Sequence, residues 1–178
     1  MTGRRTFEAR VLPHLDAAYN LARWLLRDGS AAEDAVQEAS LRALRYIDSL
    51  RGDDARAWLL GIVRNTCFTV LERQRNGPEQ LDFDEAQFDA ALEAAGLGAP
   101  DPAVLLEQRK LRALLDAAIR ALSPPLREVI VLREFEELEY AEIARIVAVP
   151  VGTVMSRLSR AREKMRSVLS QSNLGRPI

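Results

Sequence analysis

Cysteine and histidine are almost missing from this chain: Cys67 and His14 are the only examples in 178 residues. One of each cannot make a disulfide framework, and a zinc site built from side chains needs about four ligands. No metal and no cofactor is expected. Cys67 sits among Val63, Val70 and Leu71 and reads as a core thiol. His14, beside Pro13, reads as a surface or capping residue. Long apolar runs are also absent, since none approaches the roughly 20 residues that cross a bilayer. The first residues lack a continuous apolar signal core, so no membrane insertion and a cytoplasmic location are expected. There is no glycine-rich phosphate loop, no ligand cluster and no nucleophile beside a base, so no catalytic residue is assigned and an enzyme is a poor reading. Period-two alternation is missing over any useful length, which predicts an all-α fold.

Hydrophobic residues make up 48% and charged residues 29%, enough for a packed core and too balanced for disorder throughout. The formal net charge of −1 conceals segregation. Residues 152–178 carry Arg157, Arg160, Arg162, Lys164, Arg166 and Arg176 against Glu163 alone. Residues 77–102 carry Glu79, Asp82, Asp84, Glu85, Asp89, Glu93 and Asp101 and no base. A polyanion partner at one end and a solvated acidic spacer in between fit this pattern. Of the 25 basic residues only Lys110 and Lys164 are lysine. Arginine suits phosphate contacts, though codon composition gives the same bias.

Helical periodicity runs over residues 7–27, with Pro13 either in the first turns or at a kink. Asp28-Gly29 closes that segment. Ser30 to Glu33 reads as a capping box opening a second helix that faces Val36, Ala39, Ala43, Leu44 and Ile47 inward. Its other face carries Asp34, Gln37, Glu38, Leu41, Arg42 and Arg45, and a merely solvated face does not require Leu41. After a loop over 50–54, Asp53 or Asp54 caps a third helix reaching about Arg75. Trp58, Leu59, Ile62, Val63, Cys67, Val70 and Leu71 form its apolar side. Asn76-Gly77-Pro78 stops it. The expected organisation is two small helical domains, a three-helix-type domain over 1–76 and a second over 103–178, joined by an acidic linker over 77–102.

In the second domain, Asp101-Pro102 opens a helix over 103–122, and Ser123-Pro124-Pro125 stops it and caps the next, which runs to about Phe135. Residues 139–166 then read as a helix-turn-helix. Ile143, Ala144 and Val147 line its first helix, Pro150 breaks the pattern, and a second helix from about Gly152 or Thr153 faces Val154, Leu158, Ala161, Met165 and Val168 inward. Thr153, Ser156, Arg157, Arg160 and Lys164 lie on its polar side. Such a motif sets its second helix in the major groove of DNA. An amphipathic hairpin with a solvated charged face is the plainer alternative for this stretch alone.

Several segments taken together resemble the bacterial RNA polymerase sigma factors of the sigma-70 family, specifically the small extracytoplasmic-function (ECF) group. The first domain carries Ala32-Glu33-Asp34-Ala35-Val36-Gln37-Glu38 and Ala57-Trp58-Leu59-Leu60-Gly61-Ile62-Val63-Arg64-Asn65. The second carries Leu122-Ser123-Pro124-Pro125-Leu126-Arg127-Glu128-Val129, Glu142-Ile143-Ala144 and Gly152-Thr153-Val154-Met155-Ser156-Arg157-Leu158 with Arg160-Ala161-Arg162. Four motifs in register are stronger than any one of them.

The resemblance implies an alternative sigma factor that binds core polymerase and reads the minus-ten and minus-thirty-five promoter elements. It assigns Asp34, Gln37, Glu38, Leu41 and Arg42 to the β′ coiled coil of polymerase. Arg51, Asp53, Arg64 and Asn65 fall to the minus-ten element, with Trp58 left either in the core or on the DNA side. Thr153, Ser156, Arg157, Ser159 and Arg160 fall to the minus-thirty-five element, where arginine paired with guanine is the commonest specific contact. Partners implied are core polymerase through its β′ coiled coil and β flap, promoter DNA and an anti-sigma factor. The linker resembles the family's connector in the RNA exit path, a plain tether being the alternative. The chain departs from the family where glycine often precedes the first motif helix (here Glu136-Glu137-Leu138-Glu139) and where Leu-Gly often precedes the turn (here Val147-Ala148). Met155 and Ser159 stand where lysine and histidine are frequent. The other reading of the whole chain is a stand-alone helix-turn-helix regulator, which leaves the first domain and Leu41 without a use.

Overall fold

A computed structural model describes residues 2–76 and 102–173, and every regular element among them is helical. The acidic stretch 77–101 lies outside the described residues. The first domain opens with α1 (Thr2–Arg10), a 3-10 turn over Leu12–His14 and α2 (Leu15–Leu26). The expected helix over 7–27 is therefore broken at Pro13, which lies in the 3-10 turn. Leu21, Ala22 and Leu25 of α2 are buried. Arg27 ends α2 in the left-handed region at φ 62°.

Asp28, not Ser30, caps the next helix, α3 (Gly29–Arg45): its carboxylate accepts the Ala31 N–H at 2.8 Å. The capping box expected at Ser30 and Glu33 is replaced by this contact, because the helix begins earlier and Ser30 already lies inside it. The buried side of α3 is made of Ala32, Ala35, Ala39 and Ala43, small enough for α2 and α4 to pack closely against it. Leu44, expected inward, is 40% exposed. In α4 (Ala55–Asn76) the cap is Asp54, whose Oδ1 accepts the Ala57 N–H at 3.1 Å. Leu59, Leu60, Val63 and Cys67 are buried, and Trp58 packs against the same core half-buried. Burial pushes the Cys67 thiol up to about 12, which keeps it protonated and inert.

The second domain begins with α5 (Pro102–Arg120), which buries Ala118 and Ile119 near its end and leaves Leu106, Leu111 and Leu115 exposed. Ser123 precedes α6 (Pro124–Ile130) in extended conformation, but its hydroxyl makes no cap bond. The two prolines occupy first-turn positions that need no N–H partner. The helix continues as one π turn over Val131–Phe135, and Glu137 turns the chain at φ 54°. The helix-turn-helix is α7 (Tyr140–Val147) and α8 (Val151–Asn173). Glu139 and Glu142 form a reciprocal capping box on α7, the Glu139 N–H donating to Glu142 at 2.8 Å. Ala148 makes the turn in the left-handed region at φ 54°, and Val154, Leu158 and Ala161 are buried.

One continuous apolar cluster joins the two domains, from Leu21, Leu25, Leu60 and Val63 to Leu122, Ile130, Leu132 and Ile143. Helix α2 packs on α6 and α4 packs on α7. Apolar surface buried along this cluster holds the halves against each other.

Candidate nucleic-acid and partner interfaces

Polar side chains complete the join between the domains. Glu128 of α6 is fully buried and accepts from Arg64 of α4 through Nε at 2.7 Å and Nη2 at 3.2 Å. Its Oε1 also accepts from Nη1 of Arg157 of α8 at 3.2 Å. Burial pushes the Glu128 carboxyl above its ordinary value, opposed by the hydrogen bond and charge of Arg64 and the charge of Arg157. Glu136, also buried, accepts from Asn20 at 2.7 Å and Arg56 at 2.6 Å. Arg145 of α7 reaches Asp54, the α4 cap, at 2.7 Å.

Arg127 is buried and donates only to backbone carbonyls. They are Trp24 and Leu25 at the end of α2, and Ile119, Arg120 and Leu122 around the end of α5. The last carbonyls of a helix have no intrahelical donor, and one guanidinium serves two such ends. Burial lowers its pKa to about 10, which leaves it cationic at neutral pH. Sequence reasoning quoted Arg127 and Glu128 as part of a motif without seeing their work. A charged pair in a helix whose neighbours Val129 and Ile130 are apolar was the available signal.

The minus-ten candidates divide. Arg51 and Asp53 are exposed in the loop before α4, where Gly52 holds φ 72° and its carbonyl accepts from Arg10. Asn65 is exposed, its side-chain carbonyl accepting from Arg64 at 3.3 Å. Arg64 is different: its side chain is 18% exposed, held by Glu128, with its guanidinium 4.1 Å above the Phe68 ring. On α8, Ser156, Ser159 and Arg160 are exposed and Thr153 is half-buried. The Ser156 hydroxyl donates to the Thr153 carbonyl at 3.0 Å. Arg157 is turned toward Glu128 with 24% of its side chain exposed. The same helix presents Val151 and Met155, 41% and 53% exposed.

On α3, Asp34, Gln37, Glu38, Leu41 and Arg42 are all exposed, and Glu38 pairs with Arg42 one turn on. Leu41 is 68% exposed. Leu44, also exposed, widens the apolar area beside it. Its signal was the three-residue step from Leu41 to Leu44, which helical geometry puts side by side. No group of His, Cys, Asp and Glu able to hold a metal occurs among the described residues.

Comparison with known proteins matches residues 11–77 to the family model "Sigma-70 region 2" and residues 112–165 to "Sigma-70, region 4". The RNA polymerase sigma-H factor of Pseudomonas aeruginosa is 34% identical over 93% of this chain and 87% of its own length. The ECF RNA polymerase sigma-E factor of Escherichia coli K12 is 42% identical over 73% of this chain and 69% of its own. Among solved structures, the sigma factor RpoE of Bartonella quintana, in complex with the anti-sigma factor NepR, has a TM-score of 0.68 at 27% identity, covering 92% of this chain and 96% of that one. CnrH, in complex with the cytosolic domain of CnrY, shares the fold at a TM-score of 0.67 and 23% identity, covering 94% of this chain and 90% of that one.

Proposed function

The chain belongs to the sigma-70 family as an ECF alternative sigma factor that directs promoter recognition and transcription initiation, and from that premise we propose how its parts share the work. Residues 1–76 bind core polymerase and the minus-ten element, residues 77–102 act as the acidic linker, and residues 103–178 bind the minus-thirty-five element. The α3 face of Asp34, Gln37, Glu38, Leu41 and Arg42 grips the β′ coiled coil. An exposed leucine ringed by charged and amide groups has the make-up of a protein interface, an apolar centre within a polar rim.

Arg51, Asp53, Arg64 and Asn65 serve the minus-ten strand, and Thr153, Ser156, Ser159 and Arg160 serve the upstream duplex, joined by Arg157 where it leaves Glu128. Asn65 can both donate to and accept from a base edge, whereas the arginines suit phosphate and guanine. The protein is a binding factor without catalysis of its own, working in the cytoplasm beside polymerase, whose β flap takes the second domain. An anti-sigma factor is a further partner, as for the Bartonella quintana relative. The exposed leucines of α5 offer apolar surface to either.

The described arrangement is, on this reading, a closed form. Glu128 takes the Nε and Nη2 edge of Arg64, and freeing that edge for a base or a phosphate separates α4 from α6 and α7. Separation also sets the two readers at the spacing of the two elements, and tethering them raises the effective concentration of each for its site.

The observation that carries the reading is the presence of both modules, residues 11–77 and 112–165, in one chain. Run-off transcription with purified core polymerase and a library of genomic promoters tests it. Promoter-dependent transcripts that need this protein are expected. Operator binding without any transcript would favour a stand-alone regulator instead.

A further inference from the structure

We propose that Met155, with Val151 one turn before it, is a specificity-determining residue of the upstream reader and selects thymine through its 5-methyl group. The inference rests on α8 being the helix that enters the major groove. Val151 and Met155 are four residues apart and therefore adjacent on the helix surface. Both are exposed, at 41% and 53%. The core is already filled by Val154, Leu158 and Ala161, so packing of the domain does not call on the exposed pair.

Single exposed apolar residues are common and mean little. This pair is set apart by its neighbours. Ser159, one turn on from Met155, is exposed beside it, as is Ser156, and Arg166 follows on the same side, where Arg162 is paired with Glu134. The first turns of the second helix of such a motif are the part that meets base edges, and Val151 and Met155 lie in those turns. Met155 and Val151 have no side-chain donor, so they cannot take the bidentate bond to guanine O6 and N7 that arginine makes. The thymine methyl is the apolar feature among the major-groove base edges. A thioether side chain is unbranched and polarisable, and can settle over a methyl group without a fixed geometry. Arg157, the guanine reader expected from sequence, points instead to Glu128. On this side the start of α8 meets the duplex through methyl contact and hydroxyls, with Arg160 exposed farther round the helix.

The test uses holoenzyme reconstituted from the full chain and core polymerase, selected against promoters randomised through the upstream element. One position strongly enriched in thymine is expected. Replacing that thymine by deoxyuridine, which removes only the methyl, should weaken wild-type binding roughly fourfold, the worth of one buried methyl-sized group. Met155→Ala should show no such uracil penalty, and Met155→Lys should move the preference toward guanine. An equal uracil penalty in wild type and Met155→Ala, or no thymine preference, overturns the inference while leaving the reader in place. Selection that enriches no upstream sequence at all overturns the assignment of α8, and the inference with it.

Discussion

Arg64 in α4 and Glu128 in α6 form a forked ion pair across the two domains, with contacts of 2.7 and 3.2 Å. The carboxylate is fully buried and the arginine partly so. Because Arg157 shares the same carboxylate, one side chain ties a candidate reader of each promoter element to the middle of the molecule. A buried pair is weak evidence of net stability, yet breaking one partner leaves an uncompensated charge.

Glu128→Gln keeps the shape and removes the charge. It should change stability by no more than about 1 kcal/mol at neutral pH, since burial of the charge outweighs the two arginines at this carboxylate, and favour the opened form. Linkage adds a pH signature. Burial raises the folded-state pKa of Glu128 above its ordinary 4.5, so the folded form holds its proton to higher pH than the unfolded chain does. The contribution of protonation is full below 4.5 and fades as pH rises through the folded value. Urea unfolding across pH should therefore show the wild type gaining on Glu128→Gln as pH falls from neutral toward that value. A difference that shrinks on acidification would mean that the two arginines outweigh burial.

Glu137 holds φ 54° between the π turn and α7. A side chain in the left-handed region costs about 1–2 kcal/mol, and glycine avoids the clash at some loss of unfolded-state restriction. Glu137→Gly should raise stability by up to about 1 kcal/mol, a Tm gain of about 2–4 °C for a chain this size. Differential scanning calorimetry measures it. No gain, or a loss, would show that Glu137 is held by contacts worth more than the strain.

That position also shows what sequence could and could not tell. The missing glycines at Glu137 and Ala148 were visible as departures, and both residues take the left-handed turn that glycine would have eased. Helix existence and the buried stripe of α8 followed from periodicity, since spacing alone decides which side chains share a face. Caps were harder: Ser30 was expected to cap α3 with Asp28 closing the helix before it, and the observed N–H to carboxylate contact gives the cap to Asp28. Least legible was everything between the domains. Nothing local to Arg64, Arg127 or Arg157 says that its partner lies tens of residues away, so Arg64 and Arg157 read from sequence as free DNA contacts. Leu44 was placed inward with Ala43, yet the buried face of α3 is made of Ala32, Ala35, Ala39 and Ala43, and Leu44 stands outside it.

Leu41 stands out of α3 with no core to fill. Leu41→Asp should abolish binding to core polymerase while shifting stability by no more than about 0.5 kcal/mol, the usual limit for surface substitutions. Affinity for core polymerase and thermal melting, measured on the same preparation, separate the two effects. Retained affinity would remove Leu41 from the interface, and a large melting drop would place it in packing.

Arg157 and Arg160 lie three residues apart on α8 and should behave differently. Arg157 is committed to Glu128 in the closed form, so Arg157→Ala should cost about 1 kcal/mol of folding stability, because the carboxylate keeps Arg64 and loses one of its two arginines. Arg160 is exposed on the reading side, and Arg160→Ala should leave stability nearly unchanged. Its loss should appear instead as relaxed discrimination at one base pair of the upstream element, by about 1–3 kcal/mol. Binding of the variant holoenzymes to single-base-pair variants of a selected promoter gives the comparison. If Arg157→Ala relaxed one base pair and left stability intact, Arg157 would leave Glu128 on engaging DNA and read the duplex itself. Uniform weakening by Arg160→Ala across all sequences would make Arg160 a phosphate contact.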